Sequence, residues 1–147
     1  MDEFYNIPVR FSRLWFETGG GIVPKQLAKV GLQASVKSHI RLILMTRPGE
    51  YRYDREFGCS IWDRDFEIIP EGKGNWANEV EASIQQSLKA HEKRLSEIKV
   101  SLKISKNDEV NGRLKKVIEI HIGGKLNQTG EDFQHTERMM LSPISLE

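Results

Sequence analysis

The hydrophobic rhythm of this chain changes once, near residue 92, and that change limits the fold more than any other feature. Before it, Val80, Ile84, Leu88 and Leu95 lie along one helical stripe opened by Trp76 and Ala77. Glu79, Glu81, Gln85, Gln86 and Lys89 supply the wet side, and Asn75 is a good cap after a loop over residues 67–75. The helix gives out near Glu92-Lys93-Arg94. After it, Ile98, Val100, Leu102 and Ile104 alternate with Lys99, Ser101 and Lys103, as a half-buried strand requires. Asn111-Gly112 marks the returning bend of a longer hairpin loop. Ile118, Ile120 and Ile122 then share one face, with Val117, Glu119 and His121 on the other, until Gly123-Gly124 breaks or bulges the strand. Residues 126–129, a turn at Gly130, and residues 133–141 make a last, weaker hairpin.

An earlier helix is carried by Val36, Ile40, Ile43 and Leu44, which recur on one face while Lys37, Ser38 and Arg41 fall on the other. Ser35 is its expected N-cap. Pro48 stops it, and Arg47-Pro48-Gly49-Glu50 has the sequence of a type II turn, with glycine supplying the positive φ. A short strand through Tyr51 and Tyr53 and a second tight bend at Gly58-Cys59 come next. The fold class is therefore α+β, with two helices packed on a small, largely antiparallel β-sheet.

Residues 1 to about 30 read as an extended N-terminal arm. Phe4, Tyr5, Phe11, Trp15 and Phe16 crowd a segment without sustained helical periodicity, Pro8 limits regular pairing, and Gly19-Gly20-Gly21 marks a flexible break. No Gly-Lys-Ser/Thr follows the glycines, so they are a linker and not a phosphate loop. The aromatics either fold back on their own domain or anchor a partner.

A chain of 147 residues fits one domain with a sizeable core. Lys+Arg number 22 against 21 Asp+Glu, and a net charge of +1 argues against non-specific binding to nucleic acid or membrane. Cys59 is the single cysteine, which excludes an internal disulfide and suits a reducing compartment. No secretory signal is visible, and the longest apolar run, residues 42–45, is far short of the ~20 residues that span a bilayer. The expectation is a soluble, cytoplasmic protein.

Asp63, Asp65 and Glu67 alternate behind Trp62 and Phe66. Paired carboxylates are the means of glycoside cleavage, so a muramidase is the enzyme hypothesis; a local acidic cluster neutralised by Arg55 and Arg64 is the other reading. His39, His91, His121 and His135 show no ligand spacing, so neither a metal nor another cofactor is expected. Cys59 reads as a small buried hydrophobe. No Ser/His/Asp combination is marked out. Glu92 and Arg94 form either an exposed surface ion pair or a docking point whose planar fork meets a partner carboxylate or carbonyl.

Thr46-Arg47-Pro48-Gly49-Glu50, then Asp54-Arg55-Glu56-Phe57-Gly58-Cys59-Ser60-Ile61-Trp62-Asp63, then a helix closing on Glu92-Lys93-Arg94-Leu95 before an alternating strand: this order resembles the short baseplate wedge family of contractile phage tails, whose counterpart in type VI secretion is TssE. The resemblance covers residues 33 to 126. The family's Glu-Pro-Arg stands here as Glu92-Lys93-Arg94, and its Gly-Cys-Gly as Gly58-Cys59-Ser60. The resemblance implies a non-enzymatic wedge domain over residues 31–147 behind a 1–30 arm. It implies a hetero-oligomeric assembly with TssF- and TssG-like wedge subunits and with sheath subunits, at the cytoplasmic face of an envelope-anchored baseplate. Partner-binding candidates are Glu92, Arg94, Arg47, Glu50, Phe11 and Trp15. Strand edges in the hairpins after Glu97 are candidates for pairing with a neighbour. Family members often carry a lysozyme label, and a peptidoglycan-cleaving hydrolase is the alternative function.

Overall fold

The computed structural model describes residues 3–5, 15–18, 21–24, 29–62, 75–110 and 113–141. The chain divides into two compact units, residues 1–40 and 41–147.

In the first unit, β1 (Phe4–Tyr5) pairs antiparallel with β4 (Lys29–Val30), and an exposed Lys29–Glu3 ion pair of 2.8 Å lies beside them. β2 (Trp15–Thr18) pairs antiparallel with β3 (Gly21–Pro24), with Thr18 opposite Gly21. Gly19 and Gly20, read from sequence as part of a flexible break, lie outside the described residues. The segment read as an extended arm without helical periodicity thus carries short strands, and Gly21 belongs to one of them. Trp15 stands on β2; Phe11 lies outside the described residues.

Helix α1 spans Leu32–Met45. The Gly31 carbonyl accepts from the Ser35 N–H at 3.0 Å, which puts Gly31 at the helix start and the buried Ser35 inside the first turn. The expected Ser35 cap is therefore wrong by one turn: glycine serves as an N-cap with little loss. Val36, Ile40, Ile43 and Leu44 are fully buried, as their spacing requires.

In the second unit the end of α1 is held by the residues of the loop after it. The Thr46 hydroxyl donates to the Leu42 carbonyl at 2.7 Å. The expected type II turn is present, with Gly49 at φ +86° and the Glu50 N–H donating to Arg47 O at 3.1 Å. No strand forms at Tyr51 and Tyr53. Gly49 N–H donates to the Arg55 carbonyl at 2.7 Å, drawing the chain into a compact loop that gives neither tyrosine a strand partner.

Gly58 closes this arrangement. Its φ is +113°, and a Cβ there would sit 2.3 Å from the Thr46 carbonyl oxygen, which accepts from the Cys59 N–H at 3.0 Å. The Leu44 carbonyl in turn receives the Cys59 thiol at 3.6 Å and the Trp62 indole N–H at 2.8 Å. Carbonyls that a helix end leaves without intrahelical donors are thus satisfied by residues 59–62. Cys59 is wholly buried, in keeping with its expected packing role.

Helix α2 (Asn75–His91) buries Trp76, Ala77, Val80, Ile84 and Leu88 along the expected stripe. Leu95 is buried too, but as the first residue of β5, because the helix ends four residues earlier. β5 (Leu95–Val110), β6 (Arg113–Leu126) and β7 (Asp132–Leu141) form an antiparallel sheet in the order β5-β6-β7. The β5–β6 ladder continues to Val110 opposite Arg113, further than the longer hairpin loop expected from sequence, while residues 111 and 112 lie outside the described residues. β7 pairs β6 only from Lys116 to Lys125, and the β5–β6 ribbon extends past it.

Cross-strand pairs place Val100, Leu102 and Ile104, Ile118, Ile120 and Ile122, and Phe133, His135, Glu137 and Met139 on one face. Val117 shares the other face with Glu119 and His121, yet it is buried, opposite the exposed Met140. The expected irregularity at Gly123-Gly124 is a bulge whose extra residue lies on β5. Ser96 opposes Lys125 and Lys99 opposes Gly123, while Glu97 takes φ +52° and a Cβ on Gly124 would meet Ser96 O at 2.9 Å.

Gly49→Ala, with open space around it, should lower unfolding free energy by about 1–2 kcal/mol through φ alone. Gly58→Ala should cost clearly more, since the backbone must also move; urea denaturation ranks the two. Glu97→Gly should raise stability or leave it unchanged, because it relieves a left-handed non-glycine residue, and a measured loss would show that the Glu97 side chain matters more than its backbone.

Candidate functional site

The bend between α2 and β5 is built around a buried carboxylate. Glu92 is 1% exposed. Its Oε1 accepts from the Arg94 Nε at 2.8 Å and from the Arg94 backbone N–H at 3.1 Å, and its Oε2 accepts from Arg94 Nη2 at 2.7 Å. This two-point geometry suits arginine and not lysine. The exposed surface pair expected from sequence is thus incorrect: the Arg94 side chain is only 23% exposed. The bend is also pinned from the β6–β7 turn. Asn127 N–H donates to Arg94 O at 2.9 Å, and the Asn127 amide donates to Lys93 O at 2.8 Å. A proline between Glu92 and Arg94 is not needed when the neighbouring turn fixes the same backbone.

Arg47 and Glu50 lie on the exposed turn after α1, where the Arg47 N–H donates to Glu50 Oε2 at 2.9 Å. Glu50 therefore shapes the turn. The same loop reaches α2 through Asp54, whose Oδ2 is 3.0 Å from His91 Nε2. Phe57 packs edge-on against the His91 ring, with centroids 5.1 Å apart, and Tyr51 and Tyr53 continue the row outward. No local pattern signals this tie, because its partners lie 37 residues apart.

Ser87 completes a serine–histidine–aspartate set, its Oγ 3.5 Å from His91 Nδ1. That nitrogen is 2.9 Å from the Ser87 carbonyl, an acceptor, so it carries the proton and cannot act as base toward the hydroxyl. Ser87 is also buried. The set is a structural tie.

The acids proposed for glycan cleavage, Asp63, Asp65 and Glu67, lie outside the described residues. Two of the surface depressions on the second unit are bordered by described residues. One of about 440 Å³ is bordered by Lys89, Lys99 and Glu97, and one of about 280 Å³ by Glu56, Ser83 and His91. Among its lining residues each of these two has a single carboxylate, Glu97 in the first and Glu56 in the second. No group of three metal-ligating side chains occurs among the described residues, and no described helix is long and apolar enough to cross a membrane.

The two outer strands of the sheet are treated differently. On β5, Glu81 Oε1 accepts from the Leu102 N–H at 2.7 Å, and the Gln85 amide donates to Ile98 O at 2.7 Å. Glu81 and Gln85, expected on the wet side of α2, are half-buried caps of this strand's rim. On β7 no strand among the described residues pairs with the outer side.

Arg94→Ala should destabilise the protein on the order of 3 kcal/mol, because it strands a buried carboxylate. Adding Glu92→Gln should restore part of that loss. Equal melting temperatures for wild type and Arg94→Ala would contradict the buried pair.

The sequence profile of baseplate wedge protein gp25 matches residues 30–131, a span that takes in both helices, β5 and β6. Among curated proteins no sequence match is found. A crystal structure from Geobacter sulfurreducens, described as a candidate tail lysozyme, shares the fold with a TM-score of 0.58 at 21% identity. It covers 82% of this chain and 100% of its own. With the profile spanning the helix-end turn, Gly58-Cys59 and the Glu92–Arg94 bend in one continuous stretch, the chain belongs to the baseplate wedge protein gp25 family.

Proposed function

We propose that this chain is a non-enzymatic baseplate component of a type VI secretion system or a related contractile injection machine. It joins the wedge with TssF- and TssG-like subunits and seeds sheath assembly at the cytoplasmic face of an envelope-anchored baseplate. Membership in a family of baseplate wedge proteins is the observation that carries this reading.

Two surfaces suit the role. The Glu92–Arg94 bend is held from three sides, so the exposed Lys93 and the rim of Arg94 meet a partner without further ordering cost. The Arg47–Glu50 turn, joined to α2 through Asp54 and His91, extends that surface. The outer side of β7, on which no described strand pairs, accepts a strand from a neighbouring subunit, with main-chain bonds supplying affinity. Phe11 and Trp15, in the 1–30 arm ahead of the 31–147 wedge domain, add aromatic anchors for another subunit.

Co-expression with TssF- and TssG-like proteins tests the assignment. The wild type should co-purify with them, and Lys93→Glu combined with Arg47→Glu should weaken binding about tenfold with little change in melting temperature. A folded wild type that binds neither these proteins nor sheath subunits would sink the proposal. The same preparation should release no soluble fragments from peptidoglycan; release abolished by Glu67→Ala would instead establish the hydrolase.

A further inference from the structure

The loop over residues 47–57 is braced at its base and aromatic at its tip. Tyr53 meets Tyr51 edge-on with ring centroids 5.7 Å apart, Tyr51 meets Phe57 at 5.6 Å, and Phe57 meets His91 of α2 at 5.1 Å. The inner end of this row is held by Asp54 Oδ2, 3.0 Å from His91 Nε2, and by the 2.7 Å bond from Gly49 N–H to the Arg55 carbonyl. The outer end is bare. Tyr51 is 46% exposed and Tyr53 82% exposed, the highest value among the exposed large hydrophobic side chains described. A ring held this far into water adds nothing to the core, yet it offers a partner apolar area that needs little further ordering.

The charges around the row are sorted by what they face. The acids serve the loop itself: Glu50 Oε2 accepts the Arg47 N–H at 2.9 Å, and Asp54 accepts the Glu56 N–H at 3.0 Å through its other oxygen. Glu56 borders the depression against α2, together with Ser83 and His91. The cations are not spent in this way. Arg47, Arg52 and Arg55 enter no ion pair among the described residues. Arg52 Cζ lies 6.0 Å over the Tyr53 ring centre, and a guanidinium placed on a ring still presents its N–H edge to a carboxylate.

The order of these charges selects the class of partner. Along the loop they read Arg47, Glu50, Arg52, Asp54, Arg55, Glu56. Nucleic acid presents an unbroken row of phosphates, which every acid in this alternation opposes. A carboxylate on a polypeptide meets one guanidinium and leaves the acids clear. The tyrosine rings then cover the apolar residues beside that carboxylate, as aromatic anchors do at protein interfaces.

We propose that the 47–57 loop docks an acidic segment of a partner protein, whose carboxylate is received by Arg52 and whose neighbouring apolar residue lies on Tyr53 and Tyr51. That the partner is a baseplate subunit rests on the proposed wedge role; the chemistry it must offer rests on the loop alone.

Nuclear magnetic resonance of the isotope-labelled full chain, titrated with a short synthetic peptide of repeated Pro-Asp-Glu, tests this. Backbone amide resonances of residues 49–56 should move, and those of the β5–β6–β7 sheet should stay in place. The Pro-Asn-Gln counterpart should bind about tenfold more weakly or less. Tyr53→Ala and Arg52→Glu should each lower affinity for the acidic peptide about tenfold at an unchanged melting temperature. Arg52→Lys, which keeps the charge and loses the planar edge, should fall between. An acidic peptide that moves no resonance of this loop at millimolar concentration overturns the proposal, and so does equal binding of the amide counterpart. A single-stranded oligonucleotide that binds the loop more tightly than the acidic peptide overturns it in favour of nucleic acid. Wedge subunits that co-purify equally with wild type and with the Arg52→Glu, Tyr53→Ala double variant reject the loop as a joint while leaving the family role intact. A wild type that binds the peptide through this loop but no wedge subunit upholds the surface and rejects that role.

Discussion

The fold turns on a buried carboxylate. Where the helical rhythm gives way to the strand rhythm, Glu92 is almost wholly removed from water, and the Arg94 side chain and backbone satisfy it at three points. An unpaired carboxylate in that position would cost several kcal/mol, so the bend has one workable conformation, in which Arg94 folds back on the residue two before it. That conformation sets where β5 leaves α2. It also sets which α2 side chains lie along the rim of β5, and Asn127 carries the constraint across to the β6–β7 turn. Helix, bend and sheet are thus fixed by the same few contacts.

Much of this was legible in the residue pattern. The apolar spacing in α1 and α2 and the alternation in β5 and β6 report burial directly, and Pro48-Gly49 reports a turn through backbone sterics that need no tertiary context. The illegible part depended on groups meeting across long separations. Glu81 and Gln85 are polar and sit at helical positions that look wet, yet they serve the backbone of a strand. Glu92 looks like any charged helix terminus until its burial is known. Tyr51 and Tyr53 have good strand propensity, which the loop closed by Gly49 and Arg55 overrides. The candidate site was read less well than the fold for the same reason: its residues were identified, but not how deeply they are held.

The order of the family motif also acquires a physical account within this one chain. Gly58 lets the backbone pass over the Thr46 carbonyl where no Cβ would fit, and Cys59 and Trp62 then supply donors to the end of α1. Turn, glycine, cysteine and tryptophan are separated in sequence but form one helix-terminating device. The aromatic row from Tyr53 to His91 grows out of it, tying this loop to the last turn of α2.

Capping by Glu81 and Gln85 makes the sheet unsymmetrical among the described residues, with α2 side chains on the β5 rim and no described strand pairing on the β7 side. A sheet available on both sides can hand strands along indefinitely, which is the geometry of a fibre. Here α2 closes that route on the β5 side, so strands cannot be handed on through both rims of this sheet. Which side of the three strands a helix covers thus decides whether such a sheet can polymerise through its rims.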